Sequence, residues 1–417
     1  MKIITREDSL FDGFVKDGIE AAPKLVALNL ERIDAGLYAA VDHARFKVAK
    51  IKARTVMTTL GPVTYRRRCY RDGFAGGYIW PADMVAGLSP RAKVSAELKR
   101  RLVANAAEMA YSMAGRHSCL SGQVSKSTVC RSVRDAEVRA EIGPSFAPAA
   151  AIHLQIDEKY MGFCGSKRKR PRYTATIHAG REKAEKGHKN RLVRPTIFSA
   201  ASPSKLAKKA NRLLRERYGV GIDDTIYVSG DLAGYIREFP ERVTVCSAVY
   251  VPDKWHVLKA LSDAYPEFEG AIAPSSVAGI LDAIVGIGDL TRLEGANAIE
   301  VVRLYQRDPK CFDRWLDQEY AGCSQEGMNS HYYAPRFAKL ANRFKPSTVE
   351  KLCSIIEARR NGTPFEVWLK VTPPDRLEDV PFLGRPYEDR AKFVIDTSQM
   401  GPGLRKVLDG IKYGGLL

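Results

Sequence analysis

The chain has 417 residues, 45% of them hydrophobic and 27% charged. At roughly 150 residues per domain that length predicts two to three domains with real cores, which excludes a disordered chain and a small stapled scaffold. Lysine and arginine at 66 against 48 acids leave a net charge of +18, an excess that points to a polyanionic partner and leaves nucleic acid and anionic membrane open.

Residues 1–150 carry 24 basic and 15 acidic side chains, residues 151–256 carry 21 and 11, and residues 257–417 carry 21 and 22. The basic surface therefore belongs to the first 256 residues. No stretch reaches the roughly 18 apolar residues of a membrane span, and MKIITREDSLFDG lacks the apolar core of a signal peptide, so a soluble, cytoplasmic protein is expected. Eight cysteines without a CxxC pair fit free thiols in a reducing compartment better than structural zinc or a disulfide framework.

Residues 14–50 read as helix, with Val15, Ile19, Leu25, Leu28, Leu30 and Ile33 at near-helical spacing. Residues 53–80 change to Thr-, Val- and Tyr-rich runs broken by Gly61-Pro62 and Gly76-Gly77, a small antiparallel sheet. Its strand TYRRRCYR (64–71) is either a solvated edge, where arginines discourage aggregation, or a DNA-facing strand.

From Lys93 to Ala140 the pattern is helical again. A helix over about Ala106 to Arg116, a turn at Leu120-Ser121-Gly122 and the run SKSTVCRSVRDAEV read as helix-turn-helix, although an ordinary helical hairpin has the same pattern. Ser125 caps the second helix, Val129 and Val133 face inward, and Lys126, Ser127, Arg131 and Arg134 face out toward a major groove. GPSFAPAA (143–150) has no periodicity and reads as a linker.

AIHLQIDEKYMGF (151–163), RYTATIHAG (172–180) and LVRPTIFSA (192–200) are strand-like, and SKLAKKANRLLRERYG (204–219) is a helix ended by Gly219. TIYVSGD (225–231), LAGYIREF, VTVCSAVYV (243–251) and WHVLKALSDAY follow as strand, helix, strand, helix. That order is the order of an RNase H-like domain with a mixed sheet. Residues 258–320 read as largely helical, a helix from Glu326 bends near Pro335, and another runs from Pro346 to Arg360. The tail from Thr372 is rich in Pro and Gly.

Asp157 stands inside the apolar run IHLQID, where a lone charge is costly unless it binds a cation. Asp231 ends a strand that this topology sets beside the first, and two close carboxylates invite a hard divalent metal. Glu326 opens a helix that can return to the sheet, and three carboxylates can hold two Mg²⁺ roughly 3.5–4 Å apart for in-line phosphoryl transfer. Each has a plainer reading, a turn or cap for a strand-end Asp and a dipole partner for a helix-opening Glu. Glu158, Asp253 and Glu319 are the alternative acids.

The blocks YVSGDLAGYI, VPDKWHVLKAL and CSQEGMNSHYYAPRF, with YRRRCYRD, WPADMVAGLSP and VSKSTVCRSV upstream, resemble in kind and order those of bacterial insertion-sequence DDE transposases of the ISLre type. The resemblance covers about Gly61 to Asn361. It implies Asp157, Asp231 and Glu326 as metal ligands, Mg²⁺ or Mn²⁺ as two ions, and His256, in the block with Asp253, as a further catalytic residue; a His opening a helix is otherwise commonly structural. The chain departs from the family where GDLAGYI lacks the glycine after the Asp and has Tyr235 for Trp, and where Trp255 stands for Phe.

The implied protein is an α/β DNA transposase. An N-terminal helix and small β region occupy 1–90, a helix-turn-helix DNA-binding region 91–148, the first part of an RNase H-like catalytic domain 149–256, a helical insertion 257–322, and the domain's completion with C-terminal helices 323–417. Its partners are terminal inverted repeats and target DNA, met in the bacterial nucleoid by a homodimer or larger synaptic assembly, with no membrane. The basic loop residues Lys167, Arg168, Lys169, Arg170 and Arg172, with Arg181, Lys183, Lys186, Lys189, Arg191 and Arg194, would contact phosphates. The other readings are a non-catalytic DNA-binding protein, such as a regulator or a domesticated transposase, and an RNase H-fold nuclease.

Overall fold

A computed structural model describes residues 6–182, 191–264, 277–287, 296–317, 319–337 and 343–369; the tail from Thr372 and residues Lys183, Lys186 and Lys189 of the sequence reading lie outside them. The chain forms two compact units. One runs to Arg101 and takes in Gly115–Val124, and the other holds Leu102–Ala114 and Ser125–Lys370.

In the first unit a long helix, α1 (Arg6–Ala40), precedes a three-stranded antiparallel sheet of β1 (Phe46–Thr58), β2 (Gly61–Asp72) and β3 (Tyr78–Ile79), followed by α2 (Pro81–Val85). The helix stops ten residues before the predicted end at residue 50. Apolar residues in FKVAKIK continue the helical spacing, but the segment's partners are the residues of β2, and Phe46 pairs with Asp72. Strand β2 lies between β1 and β3, but β3 pairs only with Tyr70 and Arg71, so residues 64–69 of TYRRRCYR have β1 on one side alone, as the solvated-edge alternative has it. Val56, Val63 and Tyr65 form a small core with Val26, Ala27 and Leu30 of α1. Two arginines of β2 are consumed internally, Arg67 by Asp83 at 2.8 Å and Arg68 by Asp34 at 2.5 Å.

The expected helical region after residue 93 comprises α3 (Ala96–Ala106), α4 (Tyr111–His117) and α5 (Lys126–Asp135). Ser125 caps α5, its hydroxyl accepting from the Thr128 N–H at 3.3 Å. Val129 and Val133 are fully buried, as the i,i+4 spacing predicts. Helix does not continue to Ala140: β4 (Ala136–Ala140) pairs antiparallel with β12 (Phe365–Leu369), a partner some 230 residues away that no local pattern announces.

The second unit is built on a five-stranded sheet. Its strands are β5 (His153–Met161), β6 (Arg170–His178), β9 (Thr196–Ala200), β10 (Thr225–Gly230) and β11 (Ser247–Pro252), in the spatial order β11-β10-β5-β6-β9. The pairs β5–β6 and β6–β9 are antiparallel, whereas β10 runs parallel to both β5 and β11. A short hairpin of β7 (Arg181–Glu182) and β8 (Arg191–Leu192) intervenes. The mixed sheet, its first three strands in antiparallel sequence, is the one the run order predicts.

The alternation of side chains divides this sheet into an apolar and a polar face. Leu154, Ile156, Ala175, Ile177, Ile226 and Val228 join one core with α6 (Pro203–Tyr218), α7 (Gly234–Arg237), α8 (Lys254–Ala264), α9 (Val277–Ile287), α10 (Ala296–Arg307) and α11 (Lys310–Asp313). The predicted helical insertion is largely helical where it is described, through α8 to α11, whereas residues 319–322 at its end are not; its helices extend the sheet's own core. Helix α6 follows its sequence signals: the Ser202 hydroxyl caps it at Lys205 and Gly219 ends it at φ 67°. The alternate residues His153, Gln155, Thr174, Thr176, His178, Ser199 and Ser229 are buried and polar. The elements meeting this side are α12 (Gln325–Tyr332), whose Asn329 and Gln325 bond Asp157 and Thr174, and α14 (Pro346–Asn361), whose Glu357 bonds Ser199. Between these two helices lies α13 (Ala334–Phe337), a separate helix after the break at Tyr333, where Pro335 was expected to bend the chain.

Among the described residues no helix is long and apolar enough to cross a membrane.

Candidate metal centre

Strand register sets the acids in a row. Ile156 of β5 is level with Gly230 of β10, and Gly230 is level with Pro252 of β11. The next residue on each chain is an acid: Asp157 within β5, and Asp231 and Asp253 just past the ends of β10 and β11. The two parallel strands thus end together beside the middle of β5, at the edge where α/β sheets commonly carry their ligand sites. Close approach of β10 and β5 at this point requires glycine, because a Cβ on Gly230 would lie 2.4 Å from the Ile156 carbonyl oxygen.

One carboxylate oxygen from each of Asp157, Glu158 and Asp231 lies within 4.8 Å of the others. All three residues are partly exposed, and among the described residues none has a lysine or arginine partner, in a chain whose net charge is +18. Burial pushes the Asp157 carboxyl above its usual range; the Glu158 N–H and the Asn329 amide oppose this, and the charges of Asp231 and Glu326 add to it. Burial likewise raises Glu158, opposed by the hydrogen bond from the Tyr235 hydroxyl and reinforced by Asp231 and Asp157. Converging carboxylates that hold protons too tightly are relieved by a hard cation with oxygen ligands, and this donor set fits Mg²⁺ or Mn²⁺.

The sequence-derived triad is brought together in part. Asp157 and Asp231 belong to the group, and its third member is Glu158, one of the alternative acids. Glu326 is exposed on the first turn of α12, outside that group, although its charge bears on both Asp157 and His256. Asp253 holds His256, whose Nδ1 lies 2.7 Å from its carboxylate, and this bond raises the imidazole pKa. The Asp253 N–H donates to the Gly230 carbonyl at 2.8 Å, which fixes the D-K-W-H segment next to Asp231. Trp255, more than half exposed, stands edge-on to His256. Glu319 is exposed and is not part of the group.

Sequence reasoning missed three polar residues around these acids. The Asn329 amide donates to Asp157 Oδ2 at 2.6 Å, and the Glu326-x-x-Asn329 spacing, which puts both on one helix face, was a legible signal. Gln155, fully buried, accepts from the Ser324 N–H at 3.0 Å and donates to the Gly322 carbonyl at 2.7 Å, tying the start of α12 to the central strand. Tyr235 reaches Glu158 from α7. Nothing local marks Gln155, and Tyr235 stands out only as the aromatic in place of Trp in the GDLAGYI block.

The expected DNA-contacting residues divide as well. Lys126, Ser127, Arg131 and Arg134 are exposed on α5, Arg134 being paired with Asp135 at 2.9 Å. Lys167, Arg168 and Lys169 are exposed between β5 and β6, and Arg170 is exposed at the start of β6. Arg172 corrects the expectation, because it is 3% exposed. Two positions into β6, strand alternation turns it to the polar side, where it meets Glu350 and the Ser199 hydroxyl, the latter at 3.0 Å. Arg181 and Arg191 flank the β7–β8 hairpin, and Arg194 donates to the Ala147 carbonyl.

Residues 9–269 match an uncharacterised protein family, UPF0236. Similar proteins are UPF0236 protein TTE2489 and UPF0236 protein TTE0402 of Caldanaerobacter subterraneus subsp. tengcongensis. Both are 24% identical over 311 residues, covering 71% of this chain and 66% and 62% of their own lengths. A third relative from the same organism carries eleven serial designations under one name and is 24% identical over 314 residues. The chain spans less than two thirds of the length of the curated relatives it matches first. It belongs to the UPF0236 family.

Proposed function

We propose that this UPF0236 protein is a DNA transposase of the DDE type, whose RNase H-like domain cuts and joins phosphodiesters with divalent metal. The observation that carries the reading is the group of Asp157, Glu158 and Asp231, three carboxylates converging from β5 and the end of the neighbouring β10, without a cationic partner among the described residues, in a strongly basic chain. The strand order β11-β10-β5-β6-β9, with its first three strands antiparallel in sequence and the next two parallel to the central one, supports the RNase H-like assignment. Many paralogues in one genome, eleven designations under a single name among them, support a mobile element.

Asp157 and Asp231 are the residues that would hold the cations, with Glu158 or Glu326 completing the set. Two bound Mg²⁺ or Mn²⁺ would supply the charge that favours an attacking oxygen on one side of the phosphorus and a leaving oxygen on the other. The protein's own share is positioning. Asn329 orients Asp157, Tyr235 orients Glu158, and Asp253 holds the His256 ring through Nδ1. Exposed Lys126, Arg131 and Arg134 on α5 and Lys167 to Arg170 supply phosphate contacts, and synapsis of two element ends calls for a dimer or larger assembly.

The test is cleavage of DNA carrying the gene's flanking inverted repeats by the purified chain in Mg²⁺ or Mn²⁺. Nicking at the repeat ends is expected, with loss of at least about a hundredfold in Asp231→Ala, the scale of removing a main electrostatic contributor. Cleavage that survives Asp231→Ala would sink the assignment of the site. Exposure of Glu326 outside the carboxylate group favours a second reading, a protein that binds the repeats without cutting. That reading predicts repeat-specific binding with no metal-dependent product.

A further inference from the structure

The first unit carries a cationic surface that the catalytic reading does not use. Paired residues of an antiparallel ladder share a face. Lys47 is level with Arg71 and Arg71 with Tyr78, Lys50 with Cys69, and Lys52 with Arg67. A register shift between Val48 and Lys50, with its extra residue, returns Lys50 to the face of Lys47.

The acids of this sheet are already taken. Asp83 bonds Arg54 and Arg67, Asp72 bonds Arg45, and Asp34 bonds Arg68. Lys47, Lys50, Lys52 and Arg71 are exposed, and among the described residues none of them has an acidic partner. The ammonium of Lys50 lies over the rings of Tyr78 and Trp80 at 5.2 and 5.9 Å, and the Arg67 guanidinium stacks on Trp80 at 3.9 Å. Arg67, neutralised by Asp83, fixes Trp80, and the two rings hold Lys50 in place on the surface, so less side-chain freedom is lost when an anion arrives.

We propose that this face of the three-stranded sheet is a second DNA-binding surface, which grips the phosphate backbone of duplex DNA without reading its sequence. Alternate residues of a strand recur every ~6.7 Å, twice the ~3.4 Å axial spacing of phosphates on one DNA strand, so a row of strand lysines can follow a backbone. A lipid surface is less well matched. The exposed Val48 and Ile51 pair with Tyr70 and Arg68 and so lie on the opposite face, leaving the lysine row without aliphatic groups to enter an interface.

The test measures binding of the full-length chain to a random-sequence duplex between about 50 and about 200 mM salt, with divalent cations chelated throughout. Under those conditions the result is independent of whether the acidic group cuts DNA. The triple variant Lys47→Ala, Lys50→Ala, Lys52→Ala is expected to bind more weakly and to lose about 2.7 from the slope of log affinity against log salt, at about 0.9 per phosphate contact. The triple Lys→Arg variant is expected to keep the wild-type slope, which separates lost charge from a misfolded sheet. An unchanged slope in the alanine variant overturns the proposal. So does a loss confined to phosphatidylserine vesicles with duplex binding intact.

Discussion

Arg172→Ala separates the two roles that sequence and structure give this residue. A solvated DNA contact could be removed with little effect on folding, usually within about 0.5 kcal/mol. The structure instead shows a guanidinium in a closed polar network. It donates to Glu350, to the Ser199 hydroxyl and to the Ser199 carbonyl, and Ser199 donates to Glu357, which also accepts from Tyr333 at 3.1 Å. Glu357 is 8% exposed, and its carboxyl is pushed up by burial and held down by Lys209 and Arg172. Removing one partner of a buried pair costs about 3–5 kcal/mol because the other charge is left uncompensated. Glu350 is nearly half exposed and recovers water, so the lower end, about 3 kcal/mol, is the better figure here. With a urea m value of about 1–3 kcal/mol/M, the unfolding midpoint should fall by at least about 1 M. The control is Arg170→Ala, exposed two residues earlier, which should leave the midpoint unmoved and weaken DNA binding. Equal midpoints for the two variants would refute the buried-network account.

Two further expectations come from the same sheet. His153 and His178 stack at 4.8 Å, and burial pushes their pKa values down to about 4 and about 3, with His153 further lowering His178. Both are neutral in the fold but protonate near 6.5 when unfolded, so their contribution is complete above about pH 6.5 and is lost as pH falls toward 4, at up to about 1.4 kcal/mol per pH unit for each ring. Urea midpoints across that window should show the slope, and His153→Phe should reduce it; an unchanged slope in the variant would refute the attribution. Gly230→Ala drives a methyl into the Ile156 carbonyl and against Ile236, a cost of about 1–3 kcal/mol that also parts Asp231 from Asp157. A variant with wild-type midpoint and wild-type metal-dependent cleavage would disprove that close approach.

The sequence by itself determined most elements of the central sheet and its first helix, because period and punctuation are local properties. Alternation over 151–163 and 172–180 and the Gly219 stop act within a few residues, and β5, β6 and α6 stand within two residues of where the pattern put them. Local pattern also placed Asp157 within the first strand and Asp231 at the end of another. It could not tell β1 from the end of a helix, since FKVAKIK satisfies both spacings until β2 pairs with it. Nor could it find β4, whose partner β12 is more than 200 residues away.

Only the tertiary structure decided which charges are buried and which converge. Arg172 and Arg170 differ in sequence by two positions and in environment completely, because α14, the helix that brings both Glu350 and Glu357 to the sheet, comes from far along the chain. The acid group depends in the same way on register between strands. One residue of slip between β5 and β10 would turn Asp157 or Asp231 to the opposite face. With the observed register, Glu158 becomes the third carboxylate, and Asn329 arrives from α12 to bond Asp157. Strand period says that an acid ends a strand; only long-range pairing says which acids end side by side.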